Sequence, residues 1–279
     1  MRPFVFGDSI FMHIWINEQL HEIPQGDSLF EVRDRVKPQA DVVILNGFPV
    51  SSDRLLKDGD RMVLIRRGEI PSADELESLL MARHTPGVHA RIKRATVGIA
   101  GVGGLGSPIA VALARSGVGR LVLADYDVVE PSNLNRQMYF IDQIGMTKVE
   151  ALAATLARIN PGVELVPHAV RLTRDNVASI FAGVDVMVEA FDDPQAKAML
   201  TETFLSRFPE KSLVAASGVA GAGPSNTIIT RRAIGNLYLV GDGETAAAPG
   251  TGLMAPRVGV AAHHQANAVL RLLIGENPV

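Results

Sequence analysis

The spacing of hydrophobic residues along the chain changes near residue 70. Before that point, short apolar or alternating runs flank one amphipathic segment, residues 28–36, with Asp27 or Ser28 as its N-cap. Alternating runs are typical of strands, and apolar residues three or four positions apart are typical of a helix. The strand segments are residues 12–16, 20–23, 42–45 and 61–66, and residues 17–19 are expected to connect the first two. A hairpin, a helix and two further strands predict a β-grasp domain over residues 1–70.

Beyond residue 70, apolar strand segments alternate with helical segments. The strands are expected at residues 95–100, 120–124, 184–189 and 213–216, and the helices at residues 105–116, 148–159, 194–208 and 258–273. Apolar strands that alternate with helices predict a parallel sheet covered on both faces. The chain is therefore expected to be an α/β protein. Residues 71–279 would form a Rossmann-like doubly wound sheet, preceded by the smaller β-grasp domain.

The composition narrows the class of protein. The chain has 279 residues, no cysteine and a formal net charge of −3. Without cysteine there are no disulfides, thiolate zinc sites, iron–sulfur clusters or cysteine nucleophiles. The net charge gives no bulk attraction to nucleic acid or to an anionic membrane, and no apolar run reaches the length of a membrane span. We therefore expect a cytoplasmic protein without zinc, nucleic acid or membrane partners.

A glycine motif marks a nucleotide site. Gly101, Gly103 and Gly106 fit G-x-G-x-x-G between a predicted strand and a predicted helix, with Gly104 inside the motif. Glycines let the backbone approach phosphates at the positive end of the helix. Asp125 ends the next predicted strand, where a carboxylate can bind ribose hydroxyls. The motif alone leaves NAD, FAD, SAM and ATP open, and tight helix–strand packing would also require glycine.

Charged residues after Asp125 favour nucleotidyl transfer. Arg136 offers a planar fork for phosphate oxygens, and Lys148 a compact charge at a helix start. Asp192 and Asp193 follow the strand that ends at residue 189 and supply hard oxygen ligands for Mg²⁺. Singly, each would be an ordinary surface charge or helix cap. Their placement after successive strands predicts a phosphate site.

These segments resemble a known family. The strings GVGGLGS, DYDVVEPSNLNRQ, GMTK and VEAFDD are similar to those of the ThiF/MoeB/HesA family, the ubiquitin-activating-enzyme-like adenylyltransferases, over about residues 80–275. The resemblance implies that Gly104 contacts the nucleotide, Asp125 the ribose and Asp192 a magnesium ion. It further implies a second arginine, Arg83 or else Arg91, often supplied by the other subunit of a homodimer. The remaining implied ATP-binding residues are Gly101, Gly103, Gly106, Ser132, Asn133, Arg136, Lys148 and Asp193.

The resemblance also implies a reaction, closest to that of the ThiF branch. ATP would adenylate the C-terminal Gly-Gly carboxylate of a sulfur carrier used in thiamine biosynthesis. The N-terminal segment is itself similar to the ThiS/MoaD carriers, but Gly68 runs on into Glu69 and has no free carboxylate. A separate small carrier protein is therefore expected. The alternatives are a molybdopterin-type carrier, a small molecule or tRNA as substrate, a non-catalytic dimeric scaffold, and an NAD(P)-dependent reductase.

Two departures from the family pattern follow from the missing cysteines. Relatives commonly hold zinc in paired C-x-x-C motifs, and some carry a cysteine that bonds to the carrier. Residues 241–250 are expected to replace the zinc-bound region. His263 and His264 are not expected to form one metal site, because adjacent helical residues point about 100° apart.

Overall fold

The computed structural model describes residues 10–71, 76, 77, 79, 80 and 87–279. The chain divides into two compact units, residues 1–86 and residues 87–279. The domain boundary predicted near residue 70 stays a prediction, since most residues between 72 and 86 lie outside the described ones. No helix in the described ranges combines the length and the apolar character needed to cross a membrane.

Between residues 10 and 71, the first unit has a five-stranded sheet and an eight-residue helix. Its elements are β1 (Phe11–Ile16), β2 (Gln19–Pro24), α1 (Leu29–Val36), β3 (Val42–Leu45), β4 (Phe48–Pro49) and β5 (Arg61–Ile65). The strand order is β2-β1-β5-β3-β4, with β1 and β5 parallel and the other pairs antiparallel. Helix α1 packs through Leu29 and Val32 on the apolar face of this sheet. This is the β-grasp arrangement expected from the sequence.

The first hairpin turns more tightly than the expected three-residue connection. Asn17 and Glu18 form the turn alone, with φ of 46° and 62°, and Gln19 already belongs to β2. A positive φ at both positions is typical of the hairpin turn whose twist matches the strands. Asn17 Oδ1 accepts a hydrogen bond from Leu64 N at 2.9 Å, and Glu18 pairs with Arg61. These contacts offset the strain of a left-handed glutamate.

The second unit alternates strands and helices. Its elements are α2 (Val88–Ile92), β6 (Thr96–Ala100), α3 (Gly106–Arg115), β7 (Arg120–Asp125), α4 (Lys148–Ile159), β8 (Glu164–Ala169), α5 (Val177–Ile180), β9 (Val186–Glu189), α6 (Pro194–Arg207), β10 (Ser212–Ala216), β11 (Ile229–Ile234), β12 (Leu237–Gly241) and α7 (Ala255–Leu273). Short 3-10 turns lie at Pro131–Asn133, Ile141–Gln143 and Ser225–Thr227.

These strands form one sheet in the order β11-β12-β10-β9-β6-β7-β8. All neighbouring pairs are parallel except β11 with β12. One apolar layer, with Ile109, Leu152 and Val269, packs α3, α4 and α7 on one face. A second layer, with Phe181 and Phe204, packs α5 and α6 on the other. The fold is the predicted Rossmann-like doubly wound sheet.

The sequence did not predict β8, β11 or β12. Strand β8 contains Pro167 and His168, and β11 contains Arg231 and Arg232, so neither has an apolar run. Both lie at the edges of the sheet, where proline and exposed charge are tolerated. The direction of winding reverses between β6 and β9. In such sheets, ligands bind beyond the carboxyl ends of the strands at this reversal.

Candidate functional site

The glycine loop joins β6 to α3 at the reversal point. Gly101 has a φ of +83°, and its N donates to Ala124 O at 2.8 Å. A Cβ added at Gly101 would lie 2.9 Å from Ala190 O, and one added at Gly106 would lie 1.9 Å from Gly101 O. These two glycines are therefore required by the close passage of backbone past backbone.

Gly103 and Gly104 do not lie against another stretch of backbone. A Cβ at Gly103 would meet Gln137 Nε2 at 3.6 Å, and one at Gly104 would meet Arg136 Cγ at 3.4 Å. Both distances are ordinary van der Waals contacts or slightly tighter. Because the fold does not demand glycine at Gly103 and Gly104, close approach of a ligand to this backbone would account for them.

Asp125 links the end of β7 to the glycine loop. Its Oδ2 accepts a hydrogen bond from Val102 N at 2.8 Å, and its Oδ1 accepts one from Asp127 N at 2.9 Å. Burial raises the pKa of this carboxyl, while the two backbone hydrogen bonds and the charge of Lys148 oppose the rise. A carboxylate has about four lone-pair positions, so two remain for ligand hydroxyls.

Lys148 begins α4 and lies beside the same loop. Its Nζ is 2.7 Å from Asp127 Oδ2, and only 8% of its side chain is exposed. Thr147 caps this helix by accepting from Glu150 N. Tyr139 donates its hydroxyl proton to Val102 O at 2.7 Å, which ties the intervening segment to the glycine loop.

The segment around the Pro131–Asn133 turn contributes both scaffold and candidate ligands. Asn133 is buried, and its Oδ1 accepts from Glu130 N at 3.0 Å, so its side chain holds the turn. Ser132 is exposed. Arg136 lies against Gly104 and donates through Nη1 to Asn135 Oδ1 at 2.8 Å.

Two buried polar atoms beside the glycine loop lack a protein partner. Among the described residues, neither Arg136 Nε nor Gln137 Oε1 has a hydrogen-bond partner, although both atoms are shielded from solvent. A buried polar atom without a partner costs about 1–3 kcal/mol. The two side chains lie against Gly103 and Gly104, so a polar ligand at this loop, such as a nucleotide, is one source of the missing partners.

The two adjacent acids after β9 do different things. Asp193 is the N-cap of α6, and its Oδ2 accepts from Ala196 N at 2.8 Å. Asp192 is exposed, and within the described residues no hydrogen bond or ion pair engages its side chain. Its carboxylate is therefore available to a cation. The described part of the chain holds no cluster of three or more metal-ligating side chains, so a magnesium ion there would take most of its ligands from phosphate and water.

The two arginines considered for the phosphates have different outcomes. Arg83 lies outside the described residues. Arg91, in α2, donates through Nη1 to Ile274 O, just beyond the last turn of α7. Arg91 therefore satisfies a carbonyl at a helix C-terminus, a position that favours a cation.

Two charged pairs near this edge of the sheet were missed by sequence reasoning. Glu189, at the end of β9, pairs with Lys197 in α6 at 3.0 Å. Arg257, in the first turn of α7, pairs with Asp242 at 2.6 Å. No spacing rule signals either pair, because the partners come from different elements. The second pair joins α7 to the segment expected to replace a zinc-bound region.

Arg257 contacts the loop after β10 as well as Asp242 in the loop after β12. Its Nε donates to Ala220 O at 3.0 Å and its Nη1 to Pro224 O at 2.9 Å. Main-chain hydrogen bonds also join the loops, with Gly221 N donating to Gly252 O at 2.8 Å. The loops after β10 and β12 are thus fixed to each other at the same edge as the glycine loop.

Several solved structures are similar to this chain over about three-quarters of its length. The E. coli tRNA N6-threonylcarbamoyladenosine dehydratase TcdA in complex with AMP gives a TM-score of 0.66 at 23% identity, covering 74% of this chain and 98% of that one. The same enzyme in complex with ATP gives 0.63 at 25% identity, with 74% and 97% covered. E. coli MccB with ATP gives 0.52 at 22% identity, with 74% and 64% covered.

Curated relatives match over a shorter segment. The adenylyltransferase and sulfurtransferase MOCS3 of Aedes aegypti is 38% identical over 113 residues, which is 40% of this chain and 26% of the relative. The adenylyltransferase and sulfurtransferase UBA4 of Candida glabrata is 36% identical over 149 residues, or 53% and 34%. The matched segments span about a third or less of these relatives' length.

Family patterns cover most of both units. The pattern described as ThiS-like ubiquitin matches residues 12–68, and that of the ThiF family matches residues 77–279. The glycine loop, Asp125, the segment around Arg136, Lys148 and Asp192 all lie within the second match. The chain therefore belongs to the ThiF family, with a ThiS-like domain preceding its ThiF domain.

Proposed function

We propose that this protein is an ATP-dependent adenylyltransferase that activates the C-terminal Gly-Gly carboxylate of a separate ThiS-like sulfur carrier, in thiamine biosynthesis. The observation that carries the proposal is the pair of unpartnered buried atoms, Arg136 Nε and Gln137 Oε1, on side chains that lie against the glycine loop. The names of the MOCS3 and UBA4 relatives, which include adenylyltransferase, support it. A cytoplasmic location is part of the proposal, and the lack of cysteine is compatible with a reducing compartment.

In this proposal the chain positions ATP through three groups of atoms. The backbone of Gly103 and Gly104 and the N-terminus of α3 face the phosphates, where amide groups and the helix dipole favour negative charge. Asp125 accepts hydrogen bonds from ribose hydroxyls with its remaining lone pairs. Arg136 and Lys148 donate to phosphate oxygens, and Asp192 holds a magnesium ion.

The reaction needs positioning more than proton transfer. A carboxylate oxygen of the carrier attacks the α-phosphorus, the bond to the bridging oxygen of the β-phosphate breaks, and pyrophosphate leaves. No general base is required, because a terminal carboxylate is ionised at neutral pH. Arg136 and Lys148 offset the charge that develops on the phosphates. A magnesium ion at Asp192, when bound, would neutralise further phosphate charge.

Sulfur reaches the carrier without a covalent link to this chain. The sequence contains no cysteine, so it forms neither an acyl disulfide nor a thioester with the carrier. Non-reducing gels of enzyme, carrier, ATP and a sulfur donor should show no adduct that a reductant removes. Such an adduct would contradict this part of the proposal.

The ThiS-like domain of the chain acts as a docking or regulatory module rather than as a substrate. The residues after β5 turn back: Glu69 N donates to Arg66 O at 3.3 Å, and Arg67 N donates to Asp41 Oδ1 at 3.0 Å. Gly68 has a φ of +79° and is peptide-bonded to Glu69. This segment therefore offers neither an extended tail nor a terminal carboxylate. Mass spectrometry after incubation with ATP should show no adenylated or truncated chain.

A homodimer completes the proposal. A run of apolar side chains is exposed between residues 126 and 146, on the segment that also carries Arg136. It consists of Tyr126, Val128, Met138, Phe140, Ile141, Ile144 and Met146. Exposed apolar patches of this kind mark interaction sites, and a second copy on this face would lie beside the nucleotide site. Arg83 could then act on the partner's phosphates.

A second candidate is ATP-dependent activation of a tRNA or a small molecule. It is favoured by the extent of the likeness to TcdA, whose name includes a tRNA modification, since 98% of that chain is covered. At 23% identity, this likeness shows a shared fold but is no evidence of a shared substrate. The ThiS-like domain preceding the ThiF domain favours a carrier protein, of thiamine or molybdopterin type, over this candidate.

ATP–pyrophosphate exchange tests the proposal. We expect exchange of labelled pyrophosphate into ATP when a ThiS-like protein ending in Gly-Gly is added, and none with the same carrier lacking its last glycine. Exchange that requires an added tRNA or small-molecule carboxylate instead of a carrier would favour the second candidate. No exchange with ThiS- or MoaD-type carriers, together with stabilisation by NADPH rather than ATP in thermal unfolding, would contradict the proposal.

A further inference from the structure

A buried ion pair joins three elements next to the nucleotide site. The Glu189 side chain is 1% exposed, and Lys197 Nζ lies 3.0 Å from each of its two carboxylate oxygens. The same ammonium donates to Ala216 O at 3.1 Å. The three protons of Lys197 therefore have three acceptors, and the side chain links α6 to the ends of β9 and β10.

This pair is costly if its only role is stability. Burial raises the pKa of Glu189, which shows that the protein interior disfavours its charge, although Lys197 opposes the rise. Replacing a buried ion pair by apolar residues of similar volume is often neutral or stabilising. A role beyond stability would explain why the second unit places charge here.

Glu189 also fixes the chain that follows it. Its Oε1 accepts from Phe191 N at 2.7 Å, which sets the direction of the backbone leaving β9. Ala190 N donates to Ala100 O at 2.9 Å, just before the glycine loop. Glycine at position 101 makes room for this approach, since a Cβ there would lie 3.0 Å from Phe191 Cδ1.

The same segment is held at its other end by α6. Asp193 caps the helix, and Lys197 N donates to Asp193 O at 3.0 Å. Asp192 lies between the two fixed ends, with its carboxylate exposed. The charged pair therefore anchors both sides of a short segment whose free side chain is Asp192.

We propose that Glu189 and Lys197 are a positioning pair that sets the carboxylate of Asp192 beside the glycine loop for a magnesium–nucleotide complex. Neither residue is assigned a contact with the nucleotide, since Glu189 is 1% exposed and the three protons of Lys197 all have acceptors within the protein. The inference rests on the proposed function, because it assigns Asp192 the cation. Loss of groups that orient a metal ligand typically costs 10–100-fold in metal affinity or activity.

Two variants separate positioning from stability. Lys197→Met leaves Glu189 buried without a partner and should lower the unfolding temperature. The double variant Glu189→Met with Lys197→Met removes both charges at similar volume and should recover most of that loss. Lys197→Met removes the contacts that link α6 to β9 and β10. The double variant also removes the hydrogen bond from Phe191 N to Glu189. In both variants Asp192 is therefore no longer held.

The measurement is binding of the α,β-methylene analogue of ATP, by calorimetry, with and without MgCl₂. We expect both variants to weaken binding with MgCl₂ by about tenfold or more, and to change binding without it far less. Lys197→Arg, which keeps the charge and its donors, should retain most of the magnesium-dependent affinity. Exchange activity should follow the same order.

Asp192→Asn, measured alongside, separates the two possible failures. If Asp192→Asn loses the magnesium-dependent affinity but the double variant keeps it, the positioning role is wrong and the proposed function stands. If Asp192→Asn also keeps the magnesium-dependent affinity, Asp192 does not hold the cation. The positioning role is then wrong as well, because it depends on that assignment.

Discussion

Lys148 Nζ lies 2.7 Å from Asp127 Oδ2, and Lys148 N donates to Asp127 O at 2.9 Å. Asp127, two positions beyond Asp125, thus orients the ammonium of Lys148. One ammonium proton is used and two remain for a phosphate. The pair can hold the lysine in place without withdrawing it from a ligand.

Replacing Lys148 should separate charge from packing. Lys148→Met keeps the buried stem but removes the ammonium, while Asp127 is 47% exposed and tolerates the loss of its partner. We expect exchange to fall on the order of 10²-fold with little change in unfolding temperature. Asp127→Asn should cost less, since it removes only the positioning contact. Wild-type exchange in Lys148→Met would contradict the phosphate role.

The glycines of the loop should divide into two classes. In Gly106→Ala the added Cβ would lie 1.9 Å from Gly101 O, so we expect a loss of about 3 kcal/mol or more in unfolding free energy. In Gly103→Ala the nearest atom is at 3.6 Å, so the protein should fold and bind the ATP analogue more weakly. Thermal unfolding and calorimetry measure the two effects. Equal destabilisation by both changes would contradict this division.

Asp192→Asn should abolish most exchange without unfolding the protein. Its side chain is exposed, so its removal leaves the core intact, and losing one preorganised charge costs on the order of 10²-fold in rate. Arg136→Met should behave similarly. Asp175→Asn, an exposed acid before α5, is the matched control. Wild-type rates in Asp192→Asn at saturating ATP and MgCl₂ would disprove its assignment.

The Arg257–Asp242 pair should make stability depend on pH. Burial by itself raises the pKa of Asp242, but hydrogen bonds from Thr245 N, Glu244 N, Thr245 Oγ1 and Arg257 together outweigh it and lower the pKa to about 2. Because the folded pKa lies below the unfolded value of about 3.9, the stabilisation is present above pH 4 and is lost as pH falls toward 2.

Unfolding in urea checks this pH dependence. Asp242→Asn should be less stable than wild type at pH 7, because its Nδ2 would face the Arg257 donors. The difference should shrink between pH 4 and pH 2. Arg257→Met leaves a poorly solvated carboxylate and should cost about 3 kcal/mol at pH 7. A difference that does not change over this pH range would contradict the cause given.

The exposed apolar segment should control association. Ile141 is 79% exposed, so Ile141→Asp removes apolar contact area without disturbing the core. If a second copy covers this face, light scattering should show dimers for wild type and monomers for the variant at micromolar concentration. Unchanged association would show that this face is not the dimer interface.

Much of the fold follows from local pattern. The apolar runs gave the central strands, and the bounds predicted for the helix at residues 148–159 match α4. Ser28 caps α1 with a reciprocal bond to Glu31, as short-range chemistry predicts. The edge strands were not predicted, because exposed polar residues interrupt their apolar pattern. In β11 these residues are Arg231 and Arg232.

For the candidate site, the sequence indicated where residues lie along the chain but not what each side chain contacts. Sequence spacing could not distinguish Asp193, which caps a helix, from Asp192, which is free of the described contacts. Asn133 and Arg91 use their polar atoms on backbone carbonyl or amide groups brought near by tertiary packing. These contacts depend on which segments meet in the folded chain, and the local sequence does not show this.

The central pairing of β6 with β9 has a consequence for folding kinetics. It joins residues far apart in the chain, such as Val97 with Val186, whereas β6, β7 and β8 pair with near neighbours in sequence. Distant pairings form slowly, because loop closure must precede the contacts that reward it. The crevice proposed to bind the nucleotide forms only once β6 and β9 have met. ATP should therefore slow the unfolding of this protein while leaving its refolding rate almost unchanged.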